Sequence, residues 1–129
     1  MESDPMPTVL IVDDDDNQRL LYREELTMEG YDIVEATNGP EAIELVTAQA
    51  VDCVVLDIAM PGMDGVEVMH RLHDHDRTLP IVLHSAYPVY KQDYMTWTAD
   101  AYVVKSSDLS ELKGQVARAI EAPGAGPPT

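Results

Sequence analysis

The sequence predicts an α/β domain whose core is a parallel β-sheet covered by helices on both faces. Two observations carry that prediction. Short apolar runs alternate with longer amphipathic segments five times along the 129 residues. Two of the runs, Thr8-Val9-Leu10-Ile11-Val12 and Val51-Asp52-Cys53-Val54-Val55-Leu56-Asp57, lead directly into carboxylates. An apolar run of this length bounded by turn residues reads as a strand buried on both faces, and such strands belong to sheets with helical crossovers.

The first strand is residues 8–12, followed by an amphipathic helix over 17–28 with Gly30 placed to cap it. A short second strand spans 31–35. Asn38-Gly39-Pro40 is a turn, and a second helix covers 40–49 with proline in its first turn, where its missing N–H is harmless. Residues 51–57 form the third strand. Pro61-Gly62 and Asp64-Gly65 mark a tight loop before a third helix over 65–75. The fourth strand is 79–84, a short fourth helix opened by Pro88 covers 88–97, and the fifth strand is 101–104. The last helix runs over 108–120 with Ser107 as N-cap. These boundaries define one domain over 7–121, preceded by a flexible segment 1–6 and followed by a disordered Pro/Gly-rich tail 122–129.

In open parallel sheets, sites form beyond the carboxyl ends of the strands. Here those ends carry Asp13 and Asp14 (first strand), Asp57 (third), Ser85 (fourth) and Lys105 (fifth). Three carboxylates so close repel one another unless a cation neutralises them, and Mg²⁺, a hard ion held by carboxylates and waters, suits them. A carboxylate can accept a phosphoryl group to form an aspartyl-phosphate, a reaction driven by positioning and charge neutralisation. Asp57 is the best placed nucleophile. A cation and Lys105 would neutralise the phosphoryl oxygens, and Ser85 could donate a hydrogen bond to one of them.

With Val9-Leu10-Ile11-Val12-Asp13-Asp14-Asp15, Leu56-Asp57-Ile58-Ala59-Met60-Pro61-Gly62-Met63-Asp64-Gly65, His84-Ser85-Ala86 and Tyr102-Val103-Val104-Lys105 in this order, the chain resembles a response-regulator receiver domain, of the CheY-like superfamily, over about residues 7–121. The resemblance implies a flavodoxin-like (βα)5 fold, a doubly wound five-stranded sheet of order 2-1-3-4-5. It implies Asp57 as phospho-acceptor, with a histidine kinase or phosphotransfer protein as donor. Mg²⁺, with Mn²⁺ as a substitute, would be held by Asp14, Asp57, the main-chain carbonyl of Ala59 and, through water, Asp13. Ser85 takes the place of the family's hydroxyl residue, Lys105 that of its lysine, and Tyr102 that of its switch aromatic. Signalling would pass to a downstream protein through the surface of the fourth helix, fifth strand and fifth helix, with a homodimer formed on phosphorylation as a further expectation. Such a domain catalyses its own phosphorylation and dephosphorylation and is not an enzyme with turnover on an outside substrate.

Two departures stand out. The family's lysine is usually followed by proline in a cis peptide, whereas Ser106 follows Lys105. A cis bond without proline costs about 3 kcal/mol, so either that strain persists or the loop is trans. The positions that govern water access to the phosphate in the family hold Ala59 and Tyr87. Alanine offers no group to orient an attacking water and tyrosine is bulky, which suggests a long-lived phosphoryl group.

Composition narrows the alternatives. A formal charge of −16, from 24 acidic and 8 basic residues, argues against direct binding to nucleic acid or an anionic membrane. The acidic N-terminus is unlike a signal peptide, and no apolar stretch approaches a membrane span, so a cytoplasmic protein is expected. The single cysteine, Cys53, excludes an internal disulfide and suits a buried strand position. Asp13, Asp15, Asn17 and Glu24 match four positions of a calcium-binding EF-hand loop, but Gln18 stands where the loop needs glycine. His70, His73 and His75 lack a fourth metal ligand and suit a helix C-terminus. His84 is poorly placed to activate Ser85, because adjacent strand residues point to opposite faces. Tyr90, Tyr94 and Trp97 recur on one helical face, as core or as a partner surface beside Tyr102. A Mg²⁺-dependent phosphatase with an aspartyl nucleophile is the enzymatic rival, weakened because Ala59 stands where its acid-base aspartate belongs. The other rival is an interaction module that is never phosphorylated.

Overall fold

From the N-terminus the elements run β1 (Thr8–Val12), α1 (Asp16–Met28), β2 (Asp32–Ala36), α2 (Gly39–Ala48), β3 (Cys53–Asp57), β4 (Ala59–Met60), β5 (Met63–Asp64), α3 (Gly65–His75), β6 (Ile81–Ser85), β7 (Ala101–Val104) and α4 (Ser110–Glu121). They come from a computed structural model that describes residues 6–57, 59–60, 63–85, 101–106 and 108–121. The expected helix over 88–97, with Tyr87, Tyr90, Tyr94 and Trp97, lies outside the described residues, as do Ser107 and the two chain ends.

The five long strands form one parallel sheet of order β2-β1-β3-β6-β7, the expected 2-1-3-4-5 arrangement. Their side chains alternate between two apolar layers. Leu10, Val12, Val54, Leu56, Ile81 and Leu83 pack with Val46 of α2 and Leu72 of α3. Val9, Ile11, Cys53, Val55, Val82 and Val103 pack with Leu26 of α1 and Val116 of α4. Period-two alternation, applied to strands buried on both sides, thus assigns odd-numbered residues of β1, β3 and β7, and even-numbered residues of β6, to the face under α1 and α4.

The strands begin and end where pairing dictates. β3 starts at Cys53 rather than Val51, because the Asp52 carboxylate accepts the N–H of Thr8 at 2.8 Å and closes the bottom of the sheet. β6 likewise covers 81–85 rather than 79–84, and β2 covers 32–36. α1 begins one residue earlier than expected. Asp15 is its N-cap and accepts from the N–H groups of Asn17 and Gln18 at 2.9 and 3.3 Å. Gly30, with φ at +100°, ends that helix as foreseen: its N–H reaches Thr27 O, and that of Tyr31 reaches Leu26 O, which also accepts the Glu29 N–H, so the last turn's carbonyls are satisfied. α2 starts at Gly39, behind Asn38 as N-cap, with Glu41 turned back to accept from Thr37 N–H. α4 starts at Ser110, two residues after the expected Asp108, whose side chain accepts the Ser110 N–H instead. The loop after Asp57 contains a small antiparallel pair, β4 with β5, where the sequence signals only a tight loop.

Candidate functional site

Alternation brings three charged residues to one end of one sheet face. Asp13 extends β1, its N–H still in the ladder to Ala36 O at 3.2 Å, Asp57 ends β3, and Lys105 follows β7. Asp13 and Asp57 are 0% and 4% exposed, so neither carboxylate can rely on bulk water. Lys105 answers both, its Nζ lying 3.3 Å from Asp13 Oδ2 and 3.1 Å from Asp57 Oδ2. Asp14 is exposed, yet it offers an oxygen to the same spot. Ligand atoms of Asp13, Asp14 and Asp57 all lie within 4.8 Å of one another.

The electrostatics are unbalanced. Three carboxylates and one ammonium leave two negative charges, the amount a divalent cation neutralises. All the donors are hard oxygens, the set that Mg²⁺ prefers, so the residues present fit that ion. Burial lifts the Asp13 carboxyl above its ordinary pKa; the Asp15 N–H and Lys105 oppose the shift, and Asp57 adds to it. Burial alone would depress the Lys105 ammonium, but Asp13 and Asp57 outweigh it and hold its pKa above the usual value.

The Asp13 shift has a consequence for stability. An acid whose folded pKa is raised binds protons more tightly when folded, so its contribution worsens as pH rises through the window above its ordinary value of 3.8. Without divalent cation, Asp13→Asn is therefore expected to melt higher than the wild type at neutral pH. The gap should close toward pH 3.8. Thermal melts of both proteins across that range check this, and parallel curves would refute it.

Arg19 supports the acidic loop, a role that the sequence hides because there Arg19 is one more polar position of an amphipathic helix. The guanidinium donates to the main-chain carbonyl of Asp13 at 2.7 Å, to Glu35 of β2 at 3.2 Å, and to Asp16. The cluster is thus tied to the neighbouring strand. Asp15 and Asp16 are used in this support, as helix cap and arginine partner, and stand outside the cation cluster. That also removes the calcium-loop arrangement, which needs Asp15 as a ligand.

The remaining expected residues are placed as follows. Ser85 is fully buried at the end of β6, and its carbonyl accepts the Lys105 N–H at 2.7 Å. Tyr102, half-buried in β7, packs against the apolar layer shared with α2 and α3. Ala59 lies in β4, two residues beyond Asp57. No cis peptide occurs among the described residues, so Lys105–Ser106 is trans. Of the α3 histidines, His73 Nε2 sits 3.2 Å from Leu79 O, and none joins a metal-binding group among the described residues. His84 is buried on the face of β6 that carries Asp13 and Asp57, its ring 5.1 Å from that of Tyr22 in an edge arrangement. Burial pushes the Tyr22 hydroxyl up to about 12, with Lys105 opposing.

A doubly wound sheet with three carboxylates and a lysine at its carboxyl edge defines a receiver fold, and the comparisons agree. The response regulator receiver domain family matches residues 9–117, and the chain belongs to that family. Sporulation initiation phosphotransferase F of Bacillus subtilis is 34% identical over 110 residues, covering 84% of this chain and 89% of that protein. Regulatory protein AtoC of Escherichia coli is 34% identical over 115 residues, 88% of this chain but 25% of that longer protein. Among solved structures, the response regulator TrrA of Thermotoga maritima in complex with Mg²⁺-BeF superposes with a TM-score of 0.84 at 43% identity, covering 88% of this chain and 98% of TrrA. TrrA in its complex with the histidine kinase ThkA gives a TM-score of 0.82 at the same identity, over 88% of this chain and 97% of that one. Among the described residues, no helix is long and apolar enough to cross a membrane.

Proposed function

We propose that this receiver takes a phosphoryl group from a phosphohistidine of a histidine kinase, or of a phosphotransfer protein, onto Asp57, and signals by a change of conformation. The observation that carries the reading is the Lys105 ammonium bridging the buried carboxylates of Asp13 and Asp57, with Asp14 beside them. A carboxylate oxygen of Asp57 attacks phosphorus, the P–N bond of the donor breaks, and the freed imidazole keeps the electron pair and takes a proton from water. Lys105, already against Asp57 Oδ2, lies where it can meet the incoming phosphoryl oxygens without reorganisation. Mg²⁺, held by Asp13, Asp14, Asp57 and the Ala59 carbonyl, would supply the charge that Lys105 alone does not; Mn²⁺ offers similar chemistry. Ser85 donates to a phosphoryl oxygen, and the Lys105 N–H bond to the Ser85 carbonyl makes the two residues move together. Tyr102, in the strand that leads into Lys105, reports that movement at the surface.

The phosphoryl group biases two pre-existing arrangements and can do so only by bonding better in one of them. Ala59 stands two residues beyond Asp57, where an aspartyl phosphatase would carry its acid-base aspartate, which favours a signalling role over a phosphatase. The small side chain of Ala59 and the bulk of Tyr87 favour a long-lived phosphoryl group. A cytoplasmic location fits a partner kinase whose phosphohistidine faces that compartment. Incubation with acetyl phosphate and Mg²⁺ should add the mass of one phosphoryl group, and chelation of the metal should prevent it. No adduct with metal present would overturn the reading.

A further inference from the structure

His84 is 1% exposed, and neither of its ring nitrogens has a hydrogen-bond partner among the described residues. Every other side chain of β6 below it is aliphatic, so an apolar residue would fill the place without stranding two polar atoms. Register puts His84 directly across from Asp57, and its Nε2 lies 3.9 Å from Asp13 Oδ2. That gap exceeds an N–H···O bond by about 1 Å, a distance a small side-chain shift closes. At present Asp13 Oδ1 accepts from Asp15 N–H at 2.9 Å, while Oδ2 has Lys105 at 3.3 Å, the longer of the two Lys105 contacts.

We propose that His84 is a positioning residue: its Nε2–H bonds Asp13 Oδ2 once Lys105 turns toward a phosphoryl group on Asp57, and so keeps the buried carboxylate oriented for its cation. The inference rests on the phosphorylation reading above. A phosphoryl group brings about two negative charges to the carboxylate that Lys105 already touches, and draws the ammonium from its weaker partner. Asp13, with no exposure to water, then needs a second donor beside the Asp15 N–H, and His84 Nε2 faces its Oδ2. Burial, reinforced by the charge of Lys105, pushes the His84 pKa down to about 3, so the ring at neutral pH is uncharged and carries a single N–H. A neutral donor suits this place: it can orient Asp13 without cancelling the negative charge that a cation requires.

The test uses the full ¹⁵N-labelled chain titrated with Mg²⁺ and beryllofluoride, a mimic of the aspartyl-phosphate, and followed by NMR. Formation of the adduct should bring the His84 Nε2 proton downfield and protect it from exchange. His84→Leu should need about tenfold more Mg²⁺ for half-formation of the adduct, whereas His84→Gln, which keeps an N–H near the Nε2 position, should stay within about threefold of wild type. Should His84→Leu fail to fold, the ring resonances of the wild type decide alone. An adduct that forms with those resonances unmoved, or that forms equally well in a folded His84→Leu, overturns the role of His84 and leaves the reading of Asp57 intact. No adduct on the wild type defeats the reading of Asp57, and this inference with it.

Discussion

Asp57→Ala abolishes phosphoryl incorporation: the wild type, given acetyl phosphate and Mg²⁺, gains one phosphoryl mass, and the variant gains none. The effect is complete rather than partial because no other carboxylate among the described residues shares its position. Asp13 lies equally deep, but its Oδ1 is occupied by the Asp15 N–H, and its place beyond β1 leaves it beside Asp57. Asp14 is exposed and lacks the Lys105 contact that would neutralise an arriving phosphoryl group. The variant should nevertheless fold, since removing one of three clustered carboxylates relieves repulsion. Circular dichroism and a thermal melt establish that the loss is chemical. A mass gain persisting in Asp57→Ala would move the acceptor elsewhere and dismantle the assignment of the whole site.

Lys105→Ala should be the most destabilising single change at the site. It strips the shared cation from two carboxylates that are 0% and 4% exposed, and removing one partner of a buried ion pair is far more damaging than replacing the pair. A loss of about 3 kcal/mol is expected, at the lower end for such deletions because the Lys105 side chain retains 19% exposure and water can enter behind it. The dependence on conditions is diagnostic. Without Lys105 the Asp13 carboxyl rises further above its ordinary value, so the deficit is fully present above the new pKa and fades as pH falls toward 3.8. Mg²⁺ should restore part of the stability at neutral pH. Denaturant titrations with and without Mg²⁺ measure both effects, and a variant as stable as wild type in metal-free buffer would show that the bridge contributes nothing.

The parallel sheet and the three carboxylates were legible because burial on both faces enforces apolar runs, and a charged residue at the end of such a run stands out. What pattern reading missed depends on pairing across strands. Val51 belongs to the apolar run but not to β3, since the Asp52 carboxylate is spent on the Thr8 N–H. The β4–β5 pair hides behind Pro61 and Gly62, whose turn signal says nothing of the residues that flank it. Arg19 looks like any polar helix position until β2 is laid next to β1 and Glu35 comes within its reach. His84 stands out in the sequence, but its only neighbours there are those along the chain, Leu83 and Ser85. Only the strand order, which sets β6 beside β3, reveals Asp57 and Asp13 as the groups it faces.

The alternation of side chains between the two apolar layers has one more consequence, for how this domain can change over generations. Asp13, Asp57 and Lys105 share a face because each continues the odd-numbered rhythm of its strand. Swapping one aliphatic residue for another within β1, β3 or β7 leaves that rhythm intact, so the interior can drift widely while the acidic corner stays assembled. Inserting or deleting a single residue in any of those strands turns one charge through the sheet, into the layer under α2 and α3. Divergence in this chain is therefore free in spelling and fixed in count.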